Sequence, residues 1–362
     1  MKTPAPCVLL CGAGTGGHLF PGVATAEELC RRRPSARVVF AGTGRGHEVE
    51  AVTGIGLEHR RIRSVGLKGK SPLAVLRGLC TLPVSAWDGW RLLSDLRPQL
   101  VVGLGGYSSG ALVLVAASRG IPTMVLEQNA LPGFTNRMLA RVVSAAAVSH
   151  ESALAHFPGT GVLTGNPVRE TFFAPAPPRP VAGGGRLFVL GGSQGAHAIN
   201  MAMVAAAPHL AAAEPPLTLT HQTGVADCEE VERAYAGCGL SATVAPFFSE
   251  MAELMRDTDV VLGRAGATSL AEVTAVGRPA VLVPLPGAAD DHQRLNAEAL
   301  AEAGAALVVP QRELAGDRLA DTLLTLFADD ERRLAMAAAS KRLARPDAAV
   351  RIVDRAEQLM GL

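Results

Sequence analysis

The chain has 362 residues, of which 48% are hydrophobic and 19% charged, and a formal net charge of +1. At about 100–200 residues per domain this length predicts two domains, and the composition excludes a disordered or solvating chain. Aromatic residues make up only 4%, too few for a platform that stacks single-stranded bases. With no global field for a polyanion either, no nucleic-acid partner is expected.

The charge is uneven along the chain. Residues 1–166 hold 17 Lys and Arg against 9 Asp and Glu, a surplus of 8, and the rest carries a deficit of 7. One half is therefore suited to face something anionic, such as phosphates or a membrane surface. The six cysteines, Cys7, Cys11, Cys30, Cys80, Cys228 and Cys238, show no C-x-x-C spacing. Cys7 and Cys11 lie in an apolar run, which suggests reduced thiols packed in a core, as in a cytoplasmic protein. Glycines interrupt the first apolar run at once, so no signal peptide is expected. No apolar stretch is long enough to span a bilayer without Gly or Pro punctuation.

Short apolar runs then alternate with helical patterns. The expected strands are Val8–Leu10, Arg37–Ala41, Leu100–Leu104, Thr123–Leu126, Arg186–Leu190, Leu217–Gln222, Val260–Leu262 and Ala280–Val283. Strand, glycine and helix in alternation predict an α/β fold with doubly wound parallel sheets and crossover helices. The segment 166–185 is too rich in Pro and Gly for an element interior, so it divides the chain into domains 1–166 and 167–346. Pro346 interrupts the last helical pattern, and the tail 347–362 is expected to return to the first domain.

Three glycine loops follow strands. Gly12, Gly14 and Gly17 fit G-x-G-x-x-G, a turn that brings backbone and a helix N-terminus close to phosphate. A dinucleotide site also wants an acidic residue at the end of the second strand, and Gly42-Thr43-Gly44-Arg45 has none, which argues against nicotinamide or flavin. Loops 103–110 and 191–197 repeat the pattern. Phosphate groups at the switch points of both domains, as in diphosphate chemistry, are the leading expectation. After Val260–Leu262 comes Arg264-Ala265-Gly266-Ala267-Thr268-Ser269-Leu270-Ala271-Glu272, in which Ser269-x-x-Glu272 reads either as a capping box or as a carboxylate for a ribose diol. Asp257-Thr258-Asp259 precedes its strand, at the end away from ligands, and reads as a turn rather than a metal site; no cofactor or bound metal is expected.

Six motifs then occur in one order: Thr15-Gly16-Gly17-His18-x-Phe20-Pro21, Gly105-Gly106-Tyr107, Glu127-Gln128-Asn129-x-x-Pro132-Gly133-x-Thr135-Asn136-Arg137, Gly165-Asn166-Pro167-Val168-Arg169, Gly191-Gly192-Ser193-Gln194-Gly195, and Asp291-His292-Gln293-x-x-Asn296-Ala297. Together they resemble the MurG family, GT-B glycosyltransferases of family 28, from about Val8 to beyond Ala306. The resemblance implies two Rossmann-like domains facing across a cleft. It also implies inverting transfer of GlcNAc from UDP-GlcNAc to the position-4 hydroxyl of lipid-linked MurNAc (lipid I), giving lipid II in peptidoglycan synthesis, on which cell shape and division depend.

Carried onto matching positions, the resemblance assigns Ser193 and Arg169 to the nucleotide diphosphate or ribose, Glu272 to the ribose diol, and Gln293 to the GlcNAc hydroxyls. Ala267, Thr268 and Ser269 offer groups around a helix start, and Phe248 meets uracil through its backbone. Thr15, Gly16, Gly17 and Asn129 close over the donor from the first domain, with Tyr107 and Glu127 on the acceptor side. His18 is the candidate general base, since imidazole titrates near working pH; a cap or packing role is the plainer reading of a His at a helix start. Asn129 alone would read as a turn residue. The sequence departs from the commoner family pattern at Leu126, at His197 and in Ser109-Gly110-Ala111.

Arg60, Arg61, Arg63, Lys68, Lys70 and Arg77 surround the apolar set Leu73, Val75, Leu76, Leu79, Leu82, Val84, Trp87 and Trp90. This is either an ordinary core helix beside a solvated loop or a patch that docks in an anionic bilayer. The lipid-anchored acceptor favours the bilayer, placing the protein peripherally on the cytoplasmic face of the plasma membrane, where other cell-wall synthesis proteins are possible partners. Two rival readings are a different UDP-sugar transferase of this fold, which would lack the Glu127–Arg137 motif, and a Rossmann module without transferase chemistry, which leaves Ser193, Glu272 and Gln293 idle.

Overall fold

Runs of Val, Leu and Phe buried on both faces form the central strands, as parallel sheets covered by helices require. This computed structural model describes residues 5–12, 16–44, 46–62, 84, 86–175, 184–192, 195–288 and 291–362, with backbone alone at 47, 107 and 108. The chain divides into two compact units, Met1–Arg169 with Arg345–Leu362, and Glu170–Ala344.

In the first unit the strands are β1 (Cys7–Cys11), β2 (Arg37–Gly42), β3 (Glu58–Arg61), β4 (Leu100–Gly103), β5 (Thr123–Glu127), β6 (Ala145–Val148) and β7 (Gly161–Leu163). They form one sheet in the order β3-β2-β1-β4-β5-β6-β7, every neighbour parallel. Its helices are α1 (Gly16–Arg32), α2 (Gly46–Thr53), α3 (86–96), α4 (Tyr107–Ser118) and α5 (Phe134–Leu139). The switch point lies between β1 and β4, where the order reverses, so a ligand is expected above the carboxyl ends of those two strands.

The second unit repeats the plan with β8 (Arg186–Leu190), β9 (Thr218–Gln222), β10 (Ser241–Ala245), β11 (Val260–Gly263), β12 (Ala280–Leu282) and β13 (Ala306–Val308). The order is β10-β9-β8-β11-β12-β13, again all parallel. Helices α6 (His197–Ala211), α7 (Cys228–Gly237), α8 (Met251–Arg256), α9 (Ala267–Val276), α10 (His292–Glu302), α11 (Gly316–Ala328) and α12 (Asp330–Leu343) cover it. Here the switch point lies between β8 and β11.

Five strands were absent from the sequence-based expectation: β3, β6, β7, β10 and β13. Four of these are edge or near-edge pieces that are short, polar or half exposed, and β6 is largely alanine. The Asp257–Asp259 segment is the link from α8 to β11, and the Asp259 carboxylate accepts from the Arg186 backbone N at 2.8 Å. The last helix, α13 (Ala348–Met360), packs with the first unit, burying Ile352, Val353 and Ala356 in the core formed by β1, β2, β4 and α1. The boundaries fall at 169/170 and 344/345, a few residues from 166/167 and 346/347. Arg169, expected in the second domain, belongs to the first.

Candidate functional site

The two switch points are built alike, and each is described by itself. In the first unit, three chain turns interlock. The Leu104 amide donates to the Cys11 carbonyl at 2.8 Å, tying the turn after β4 to the end of β1. Gly12 has φ +105, and a Cβ there would lie 2.6 Å from the Gly105 carbonyl oxygen and 2.9 Å from Ser109 Cβ. Both the left-handed backbone and the close approach demand glycine. Gly12→Ala is expected to destabilise the first unit by about 2 kcal/mol or more, seen as a lower denaturation midpoint.

His18 stands in the first turn of α1, half-buried, its imidazole against Gly105: a Cβ on that glycine would come within 2.8 Å of the ring. Its Nδ1 lies 3.2 Å from Oε1 of Gln128, and Gln128 Nε2 donates to the Leu104 carbonyl at 3.3 Å. Gly16 and Gly17 open the same helix; Thr15 lies outside the described residues, as does the Tyr107 side chain.

Glu127, at the end of β5, is 2% exposed. One carboxylate oxygen accepts from Asn129 N at 3.0 Å and Asn129 Nδ2 at 3.1 Å; the other accepts from Gly133 N and Asn136 Nδ2, both at 2.9 Å. The carboxylate therefore organises the loop 127–136 and presents Asn129, rather than standing open to an acceptor. The Arg169 guanidinium lies 5.3 Å from the Phe20 ring centroid, a cation–π distance. Burial pushes the Glu27 carboxyl up, and the Arg169 charge pulls it partly back. Both Phe20 and Glu27 lie on α1, in the unit to which Arg169 belongs.

In the second unit, the loop after β8 sits close on β9. A Cβ on Gly195, whose φ is +75, would lie 2.3 Å from the Thr223 carbonyl oxygen. The loop hands the chain to α6, whose start has no side-chain cap. Ser193 lies outside the described residues. Beneath the loop runs a buried polar chain that sequence reasoning missed. Tyr235 OH and His221 Nδ1 are 2.7 Å apart, His221 Nε2 donates to Asn200 Oδ1 at 3.0 Å, and Asn200 Nδ2 donates to Asp227 at 2.7 Å. Asp227 in turn meets His197 Nδ1 at 3.0 Å. Burial holds the His221 imidazole neutral, its pKa pushed down to about 3.

After β11, Gly266 is the extended residue before α9, which begins at Ala267 with no side-chain cap. Ser269 is thus the third helical residue and Glu272 the sixth. This corrects the capping-box alternative: Ser269 stands too far inside the helix to cap it, and Glu272 lies buried in the second turn. The amides of Ala267, Thr268 and Ser269 form the helix N-terminus, which attracts negative charge. Gln293 Oε1 accepts from Ala265 N at 3.3 Å and Leu285 N at 3.0 Å, and Asn296 Nδ2 donates to Ala265 O at 3.2 Å. Arg264 completes the tie, donating to Val283 O at 3.0 Å. Gln293 and Asn296 on α10 and Arg264 after β11 thus pin the loops after β11 and β12 together. Only Gln293 stood among the expected site residues. The Phe248 amide donates to Gln222 Oε1 at 3.0 Å, so its carbonyl is the backbone group left to meet a base.

Among the described residues no group of three or more His, Cys, Asp or Glu is placed to hold a metal ion. Two Rossmann-like parallel sheets, each with glycine loops and a helix N-terminus at its switch point, are the architecture of the GT-B class. Residues 8–148 match the glycosyltransferase family 28 N-terminal domain and residues 186–352 the family 28 C-terminal domain. The chain belongs to glycosyltransferase family 28.

A relative from Anaeromyxobacter sp. is 46% identical over 98% of this chain and 93% of its own length. It is named UDP-N-acetylglucosamine–N-acetylmuramyl-(pentapeptide) pyrophosphoryl-undecaprenol N-acetylglucosamine transferase. A relative of the same name from Geobacter metallireducens is 43% identical over 96% of this chain and 97% of its own. Among solved structures, Acinetobacter baumannii MurG aligns with TM-score 0.77 and 31% identity, covering 98% of this chain and 99% of that one. The kitacinnamycin glycotransferase, at 18% identity and TM-score 0.73 over 98% and 99% of the two chains, shares the fold.

Proposed function

We propose that this protein transfers GlcNAc from UDP-GlcNAc to the position-4 hydroxyl of MurNAc in undecaprenyl-diphospho-MurNAc-pentapeptide, forming a β-1,4 linkage with inversion. The observation that carries the reading is full-length identity of 41–46% to proteins named for this activity, joined to a chain that keeps the glycine loops at both switch points. The test is radiolabelled UDP-GlcNAc with a short-chain lipid I analogue, with UDP-GalNAc as control. Label entering the lipid only from UDP-GlcNAc supports the reading; label entering from UDP-GalNAc equally well, or not at all, overturns it.

The donor is assigned to the second unit. Ser193 and the α6 and α9 helix starts, with the backbone of Ala267, Thr268 and Ser269, receive the diphosphate; Glu272 takes the ribose diol and the Phe248 carbonyl takes uracil. Gln293 has its side-chain oxygen committed to two loop amides, so its NH₂ is the end that donates to GlcNAc hydroxyls. From the first unit, Thr15, Gly16, Gly17 and Asn129 serve the donor, Arg169 adds charge for the departing diphosphate, and Tyr107 stands on the acceptor side. Amide dipoles and a guanidinium are this chain's own means of stabilising that leaving group.

In the displacement, His18 takes the proton of the attacking hydroxyl while the new glycosidic bond forms at the anomeric carbon. The bond from that carbon to the diphosphate oxygen breaks, and UDP leaves with the electron pair. His18→Ala is expected to lower kcat about 10²-fold with little change in KM for UDP-GlcNAc. Unchanged turnover at saturating substrates would remove His18 as the base.

The first unit is also assigned to the cytoplasmic face of an anionic membrane. Trp87 and Trp90 are exposed, as are Arg60 and Arg61, while residues 63–83 with their basic and apolar set lie outside the described ones. Among the described residues no helix is long and apolar enough to cross a membrane. Reversing Arg60, Arg61, Lys68 and Lys70 to Glu is expected to abolish binding to vesicles containing anionic lipid, measured by co-sedimentation; retained binding would defeat the assignment.

A further inference from the structure

We propose that Gln128 is the positioning residue for His18: its side-chain oxygen fixes the imidazole as the Nδ1–H tautomer, so that Nε2 carries the lone pair that accepts the acceptor's proton. The inference rests on His18 being the base and adds what sets its chemical form. Gln128 is 3% exposed and follows β5 directly. Its amide orientation is decided by the other end of the group. The NH₂ donates to the Leu104 carbonyl, an oxygen that can only accept, so the Oε1 end faces His18. An amide oxygen likewise can only accept. The 3.2 Å contact therefore requires a proton on Nδ1, and in neutral imidazole the lone pair then lies on Nε2.

Gly105 supports the arrangement from one face, where its missing Cβ leaves room for the ring. Three chain turns thus converge: the α1 start supplies the imidazole, the turn after β4 its floor and the carbonyl that locks Gln128, and the end of β5 the amide. A base held by a third group is the general form of such sites, and a neutral amide fills that place in Cys–His–Asn proteases.

The choice of amide over carboxylate has a consequence. An anion against Nδ1 would favour imidazolium and raise the His18 pKa; an amide fixes the tautomer without adding charge. Among the described residues, the ionisable groups whose contacts are resolved on α1 and at the end of β5 are engaged elsewhere. Glu127 turns both oxygens to Asn129, Gly133 and Asn136, Glu27 lies in the field of Arg169 further along α1, and Arg169 itself lies over Phe20. β4 and the turn 104–106 carry no ionisable side chain.

The test uses the full chain. Nitrogen NMR of ¹⁵N-histidine-labelled protein, with His18→Ala to assign the signal, should show protonated Nδ1 and unprotonated Nε2 for His18 at a pH where the ring is neutral. An Nε2–H tautomer overturns the proposal, and this measurement needs no variant at Gln128. Gln128→Met, similar in length but with no acceptor oxygen, should yield a mixed tautomer and a kcat reduced roughly tenfold, with KM for UDP-GlcNAc within about twofold. Gln128→Glu should move the acid limb of the kcat profile to higher pH by about one pH unit or more. Full kcat in Q128M together with an unmoved profile in Q128E also overturns it. If H18A keeps full turnover, the base reading fails whatever the tautomer; if H18A is inactive while the tautomer and both Gln128 variants are indifferent, only this inference fails.

Discussion

Replacing Glu127 with alanine is expected to cost at least about 3 kcal/mol of stability and to lower kcat/KM by on the order of 10²-fold or more. The carboxylate is buried and accepts four hydrogen bonds, two to each oxygen, all from the nine residues that follow it. Hydrogen bonds to a charged acceptor contribute about 1.5–3 kcal/mol each, and a buried donor left without its acceptor adds a further cost. Alanine would remove the shared acceptor of two backbone amides and two side-chain amides in one loop, although Asn136 Nδ2 would keep its bond to the Leu126 carbonyl. The kinetic loss follows from the donor-side role proposed for Asn129, which is held by its backbone and its side chain at once, since a misplacement of about 1 Å in such a site costs about 10²-fold. E127Q separates charge from shape. The glutamine keeps one acceptor oxygen but turns an NH₂ group toward donors at the other, so it should recover no more than half the loss. Denaturant midpoints for the three proteins, read beside kcat/KM, check the argument; an E127Q protein as stable as the unchanged chain would show that the loop does not depend on both oxygens.

This residue also shows where sequence reading stops. The glycine spacings placed the loops at the carboxyl ends of the right strands, because a glycine forced by backbone geometry marks its own turn. The apolar runs of β1, β2, β4, β5, β8, β9, β11 and β12 were legible for a similar reason: burial on both faces leaves a continuous hydrophobic signature. β6 had none, since three alanines have little preference for a strand and are held there by neighbours on both sides. β3, with the sequence Glu-His-Arg-Arg, is polar because it is an edge. For polar residues the difficulty is different. Glu127, Gln128 and Gln293 stand in motifs shared with the family, but which of their atoms serve the fold and which are offered to a ligand depends on partners several residues or a whole strand away. In the sequence Gln128 is one residue of a motif, and its link to His18, 110 residues earlier, appears only when the turns after β4 and β5 come together. The Ser269–Glu272 spacing misled in the opposite sense: Gly266 in an extended conformation starts α9 early enough to move both residues inside it.

Deleting the tail after Ala344 should unfold the first unit while leaving the second folded. Pro346 marks the break before α13, but the helix's destination is set by its buried side. Ile352 and Val353 have no exposed surface and Ala356 has 3%, packed among residues such as Leu10, Leu29 and Val38. Burying one such branched side chain contributes about 1.5–3 kcal/mol. Losing both, with new apolar surface opened over α1, approaches the roughly 5–15 kcal/mol that a whole domain has to lose. At the rim, Arg32 pairs with Asp354 at 2.5 Å and Glu357 at 3.2 Å, and Arg33 with Glu357 at 2.7 Å. These pairs are partly open to solvent and contribute about 1 kcal/mol or less each. The effects should therefore be ordered. Truncation removes the first unit's transition altogether, Ile352→Ala lowers its stability by about 2–5 kcal/mol, and Arg32→Ala lowers it by about 1 kcal/mol, less at high salt. Hydrogen exchange resolves the units: in the truncated chain, amides of β1, β2, β4 and α1 should lose protection while those of β8, β9 and β11 keep it. Protection retained in β1 and β4 would mean that the sheet and its other helices hold the first unit without α13.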